Sequence, residues 1–103
     1  MKQDDEIQLL KDLAGILERQ IELVRHDDIA GVDGLIGCGE QLALKITAAG
    51  LLDRPQYDEW RDRLAGLYRE LQLMLSAQKE AVAGQLRSIN KGQKTLAVYH
   101  DGI

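Results

Sequence analysis

Phenylalanine is missing from this 103-residue chain, and its aromatic set is one tryptophan, Trp60, with three tyrosines. Any core must therefore be almost wholly aliphatic, and with leucine recurring throughout, that packing suits helices. Cysteine occurs once, at Cys38, so no intrachain disulfide can close and the usage fits a reducing compartment. Proline also occurs once, at Pro55, leaving long stretches without a helix breaker. No window approaches the roughly 18 consecutive apolar residues of a spanning helix, so membrane insertion is not expected. The opening MKQDDEIQLL has neither the basic start nor the apolar run of a secretory signal, and the expected compartment is the cytoplasm.

What is present has the balance of one folded domain: 45% hydrophobic residues beside 29% charged ones. The 13 Lys+Arg against 17 Asp+Glu give a formal charge of -4, which argues against a dedicated nucleic-acid binder, since such proteins carry a net basic surface.

From Asp4 onward Ile7, Leu10, Ala14, Leu17, Ile21 and Val24 repeat in steps of three and four, the seam of an amphipathic helix. Leu9, Leu13, Ile16 and Leu23 widen it into a second stripe, so this helix touches two neighbours and at least three helices assemble. The spacing predicts a first helix over about residues 5–25, capped by Asp4 or Asp5, the latter forming a capping box with Gln8. A second helix over about 28–49 starts from the acidic pair Asp27-Asp28 and runs through Ile29, Val32, Ile36, Ala43 and Ile46 to a left-handed cap at Gly50. Its segment GVDGLIGCG is glycine-dense, and each glycine disfavours a helix interior by roughly 1 kcal/mol relative to alanine. The segment fits neither phosphate-loop pattern, so a weak helix with small residues permitting close approach is the preferred reading over a ligand loop.

Beyond LLDRPQYD, where Asp53 stands ready to cap the next helix, the apolar period continues with no strong stop through Trp60, Leu64, Leu67, Leu71, Leu75, Val82, Leu86, Ile89 and Leu96. The spacing predicts a single third helix over about 55–100, roughly 60 Å of rod at 1.5 Å per residue, unless Gly84 or Gly92 breaks it into two. The expected architecture is all-α, an antiparallel three-helix bundle, or four-helix if that break occurs, with a long C-terminal helix. Two shorter helices cannot cover such a rod. Its second part, 77–103, is poorer in large apolar residues and locally basic, with Lys79, Arg87, Lys91 and Lys94 against two acids. That composition describes a narrow stripe, Val82, Leu86, Ile89 and Leu96, looking for a partner helix.

Catalytic chemistry finds little purchase. His26 and His100 each stand beside an aspartate, but neighbours on a helix point to different faces, and caps or solvated turns account for them better than metal ligation. Cys38 has no histidine near it in sequence and reads as an inert, partly buried thiol. Asp4-Asp5 and Asp58-Glu59 sit where helix starts favour negative charge. No enzyme, metal or cofactor is expected. Four cations spread from Lys79 to Lys94 describe a solvated helical face, not a nucleic-acid patch.

The run LRSINKGQKTLAVYHDG is the most distinctive segment. A C-terminal helix carrying N-K-G-x-K-x-L-x-x-Y, after two shorter helices joined near an acidic D-D-I turn, resembles the small flagellar type III export chaperones of the FliT and FlgN class. The resemblance implies an antiparallel helical body whose C-terminal region holds the amphipathic end of a flagellar axial subunit, a filament-cap or hook-filament junction protein, in the cytoplasm until export. It also implies that Tyr99, the aromatic residue near the C-terminus, docks to the export gate or the export ATPase. On this footing Val82, Leu86, Ile89 and Leu96 bind the client, while Lys79, Arg87, Lys91 and Lys94 give the rim its sign. The alternative is a structural protein that uses the same stripe as a homodimer coiled-coil seam.

Overall fold

A computed structural model describes residues 2–78, 87 and 89–96. Three long helices carry the fold: α1 (Gln3–Arg25), α2 (Ile29–Ala48) and α3 (Asp58–Ala77), followed by a shorter helical stretch, α4, over 89–96. Among the described residues there is no strand, and the protein is an all-α helical bundle.

The order of contacts fixes the topology. Along α1 and α2, Gln20 meets Val32, Ile16 meets Gly39 and Leu9 shares a groove with Ala48, so these two helices run antiparallel. Glu6 meets Tyr57, Glu18 meets Arg63 and Arg25 meets Glu70, so α3 runs parallel to α1. Tyr68 faces Gly92 and Gln72 faces Asn90, so α4 returns antiparallel to α3. The aliphatic seam read in α1 supplies the centre: Leu10, Leu13, Leu17 and Val24 are buried with Val32 and Ile46 of α2 and Leu64, Leu71 and Leu75 of α3. Tyr57 and Tyr68 are the two buried aromatic side chains among the described residues.

The helix ends follow local chemistry, with differences from expectation. At the end of α1, Asp27 adopts φ 58° while Asp27 N–H donates to Val24 O and Asp28 N–H to Leu23 O, a Schellman closure. Asp28 then caps α2, its Oδ1 accepting from Gly31 N–H at 2.9 Å. The glycine-dense segment is helical throughout, and Gly50 with φ 64° takes the left-handed position after α2. At the start of the chain the cap is Lys2, with no side-chain hydrogen bond, and Asp4, Asp5 and Glu6 occupy the first turn, where the helix dipole favours them. Asp53 does not cap α3: two short 3-10 turns, Leu51–Asp53 and Pro55–Tyr57, intervene.

The larger correction concerns the rod. Helix α3 stops at Ala77, where Gln78 turns to φ -84° and ψ 127°, and the longest dimension of the molecule is 40 Å. No glycine or proline forces that stop. Folding back buries Ile89 and Leu96, which a rod would have left in water, and each such burial is worth about 1.5–3 kcal/mol. The fourth helix left open as an alternative therefore exists, but Gly92 lies inside it instead of breaking the chain. Gly84 lies outside the described residues.

Candidate functional site

The site is the seat that α1, α2 and α3 provide for α4. Ile89, Gly92 and Leu96 face inward at spacings i, i+3 and i+7, the anchor pattern of an amphipathic helix lying in a groove. Leu17 and Gln20 of α1, Ile36, Gly39 and Glu40 of α2, and Tyr68 of α3 line the narrow gap against Ile89 and Gly92. Tyr68 sets the closest approach, since a Cβ added to Gly92 would meet its hydroxyl oxygen at 3.1 Å. Burial, with the Glu40 carboxylate adding to it, pushes the Tyr68 phenol far up, so the group stays neutral.

Polar contacts register α4 along the groove. The Gln72 side-chain amide nitrogen donates to Asn90 Oδ1 and to Gln93 Oε1, and Thr47 Oγ1 donates to the Thr95 carbonyl at 3.4 Å. The outward side of α4 carries Asn90, Lys91 and Lys94, all exposed, and Arg87 ahead of it is exposed too, so α4 is apolar toward the body and basic toward solvent.

Two of the four residues expected to form a free client-binding stripe are thus inside the protein: Ile89 is 4% exposed and Leu96 is 6% exposed. The same burial removes them from any dimer seam along a long helix. Three of the rim cations, Arg87, Lys91 and Lys94, are where the helical period put them, on the solvent face. Val82, Leu86, Lys79 and Tyr99 lie outside the described residues.

The residues that build the seat, Tyr68, Gln72 and Gln20, carry no mark in the sequence because they belong to other helices than the motif. The signal that finds the seat is the placement of Gly92 at a core position between Ile89 and Leu96, where a side chain would ordinarily pack.

A second polar cluster fastens the connector before α3. Glu6, 5% exposed, accepts from Arg54 Nη1 at 2.5 Å and from the Tyr57 hydroxyl at 3.0 Å, while Arg54 Nη2 reaches the Ala49 carbonyl. Burial alone would raise the Glu6 carboxyl, but the hydrogen bonds from Arg54 and Tyr57 and the guanidinium charge outweigh it and hold it below its ordinary value. Every member is matched, so the cluster has the character of a clamp.

His26 bonds Glu22 at 3.0 Å on the surface, and among the described residues no group of three or more His, Cys, Asp or Glu could hold a metal ion. Cys38 is exposed, where a partly buried thiol was expected. No described helix is long and apolar enough to cross a membrane. Comparison with protein-family models, with curated proteins and with solved structures gives no match to this chain.

Proposed function

We propose that the protein is a flagellar export chaperone: it holds the amphipathic helical end of an axial subunit, a filament-cap or hook-filament junction protein, in the cytoplasm and delivers it to the type III export gate or its ATPase. The observation that carries this reading is the seat itself. It accepts a helix through anchors at i, i+3 and i+7, and α4 fills it with one leucine, one isoleucine and a glycine. A client helix that keeps a small residue opposite Tyr68 and brings a longer apolar face on either side of it displaces α4 and buries more apolar surface. Release of α4 then frees Ile89 and Leu96 to cover the client from its other side, where Val82 and Leu86 complete the expected client-binding stripe. Arg87, Lys91, Lys94 and Lys79 orient an acidic flank on the client, and Tyr99 docks to the export machinery.

The test uses a fluorescent peptide with the sequence of the amphipathic C-terminal helix of a filament-cap protein, titrated with the full chain. Gly92→Val, which wedges α4 off Tyr68, is expected to tighten binding by about tenfold, or 1.4 kcal/mol. Tyr99→Ala is expected to leave peptide affinity unchanged while weakening binding to a purified export-gate domain. If neither filament-cap nor junction peptides bind the wild type or the Gly92→Val chain, the chaperone reading falls.

A further inference from the structure

Helix α2 bears on its outward side a seam that no described part of the chain covers. Ala30, Gly34, Gly37, Gln41, Leu44 and Ala48 are all exposed and succeed one another by four, three, four, three and four, the alternation of a coiled-coil interface. Two of the four glycines of α2 make no internal contact, as is also true of Gly15 in α1 and Gly66 in α3: a Cβ built on Gly34 or on Gly37 finds nothing within 4 Å, and alanine would be the better helix former at both. Gly31 and Gly39 differ, since a Cβ there meets Asp28 at 2.8 Å and Ile16 at 3.6 Å. On the same stripe Leu44 is 59% exposed, one of two large apolar side chains left so bare among the described residues. Glycines without an internal contact, followed by an uncovered leucine, suit a second helix backbone approaching closely from outside.

Charge says which helix. Glu40 and Lys45 flank the seam on opposite sides, five residues apart, and neither has an ion-pair partner among the described residues. When two copies of one helix lie parallel, a flanking residue faces the residue five further on in the other copy, so Glu40 of each copy meets Lys45 of the other. Antiparallel pairing about the middle of the seam would instead set Glu40 against Glu40. We infer that α2 is the interface of a homodimer, two copies of the chain joined with their α2 helices parallel about a two-fold axis, with Leu44 against Leu44, Gln41 pairing across the axis and two Glu40–Lys45 bridges at the edges. Gly34, Gly37, Gln41 and Leu44 line no part of the α4 seat, whereas Glu40 borders both faces, so Leu44→Glu is the variant that tests the inference apart from the export role.

Sedimentation of the full chain against concentration tests it. The wild type is expected to reach the mass of a dimer, and Leu44→Glu, a change at an exposed position that leaves the far-UV dichroism intact, to weaken association at least about tenfold. Glu40→Lys is expected to weaken it likewise, and Glu40→Lys combined with Lys45→Glu to restore it. In a Cys38→Ser background, Gln41→Cys is expected to oxidise to a disulfide-linked dimer, whereas wild-type Cys38, held on opposite sides of the axis, is not. A wild type that stays monomeric to about 1 mM, a dimer indifferent to Leu44→Glu and to the charge swap, or ready linkage through Cys38 overturns the proposal. Retained peptide binding by a monomeric wild type would separate that failure from failure of the chaperone reading.

Discussion

Gly92 rests directly against the Tyr68 ring, leaving a Cβ at position 92 only 3.1 Å from the phenol oxygen and 3.3 Å from Cε1. The neighbour is the end of a ring packed in the core, 2% exposed, which has little room to yield. Glycine in a helix costs about 1 kcal/mol relative to alanine, so α4 forgoes propensity in order to lie close. Gly92→Ala is expected to raise the intrinsic helicity of α4 yet loosen its docking. Amide exchange would show it, as faster exchange across 89–96 with residues 10–24 of α1 unchanged. Equal protection in both variants would mean that the ring moves aside freely.

The pairing of Glu6 with Arg54 and Tyr57 makes stability depend on acid. The Glu6 carboxyl is held below its ordinary value, so its stabilising contribution is fully present above the unfolded-state pKa and is lost as pH falls through the folded-state value. Melting temperatures of the wild type and Glu6→Gln are expected to differ most near neutrality and to converge toward about pH 3. Tyr57→Phe keeps the ring and removes one donor, which raises the Glu6 pKa and moves the acid loss to higher pH. A difference between wild type and Glu6→Gln that is constant with pH would show that the pairing contributes nothing specific to the ionised form.

The seam of α1, the Asp28 cap, the helical glycine segment and the left-handed Gly50 were all legible because each is set by residues within a turn or two of one another. Glu6 and Gln20 were not, although both fall on the three-and-four spacing that runs through Leu10, Leu13, Leu17 and Val24. A search for apolar periodicity passes over a polar residue whose partner, Tyr57 or Val32, is 51 or 12 positions away. The stop at Ala77 was hidden for the opposite reason. Ser76, Ala77 and Gln78 carry no breaker, and the chain leaves the helix there because reversal lets Ile89 and Leu96 share the core with Tyr68 and Leu75. Local propensity favoured a rod, and burial of distant residues overruled it. Of the candidate site, the solvent face of Arg87, Lys91 and Lys94 was readable from period alone. Which way the apolar face would turn was not.

Asp27 holds the one left-handed conformation found at a non-glycine residue among the described residues, at the closure between α1 and α2. An L side chain there works against its own Cβ, and aspartate is tolerated because its short polar group suits that region better than most. Asp27→Gly is expected to stabilise the fold by about 0.5–1 kcal/mol, and Asp28→Ala, one residue on, to cost about 1 kcal/mol by freeing the Gly31 N–H. Urea unfolding of the two variants gives opposite shifts in midpoint. Shifts of the same sign would contradict the division of labour between C-terminal closure and N-terminal cap.

Gln20 is 1% exposed and donates its side-chain amide to the Val32 carbonyl at 3.1 Å, tying α1 to α2 at the level of the α4 seat. That carbonyl also lies within a helix and has its backbone partner there, so removing the amide does not orphan it. Gln20→Leu, which replaces the amide by an apolar group of similar volume, is therefore expected to cost no more than about 1.5 kcal/mol. Gln20→Glu keeps the shape but turns a donor into a buried carboxylate facing a carbonyl, and at pH 7 the loss is expected to reach about 3–5 kcal/mol. The sign of its pH dependence is the reverse of that at Glu6. Burial raises the folded-state pKa of the new carboxyl, so the penalty is absent below the unfolded-state pKa and grows as pH rises toward the folded-state value. Urea unfolding at about pH 4 and pH 7 should find Gln20→Glu close to Gln20→Leu at the lower pH and well below it at the higher. A Gln20→Glu chain equally stable at both would place position 20 in contact with water, and the α1–α2 packing beneath the seat would then be looser than the buried amide implies.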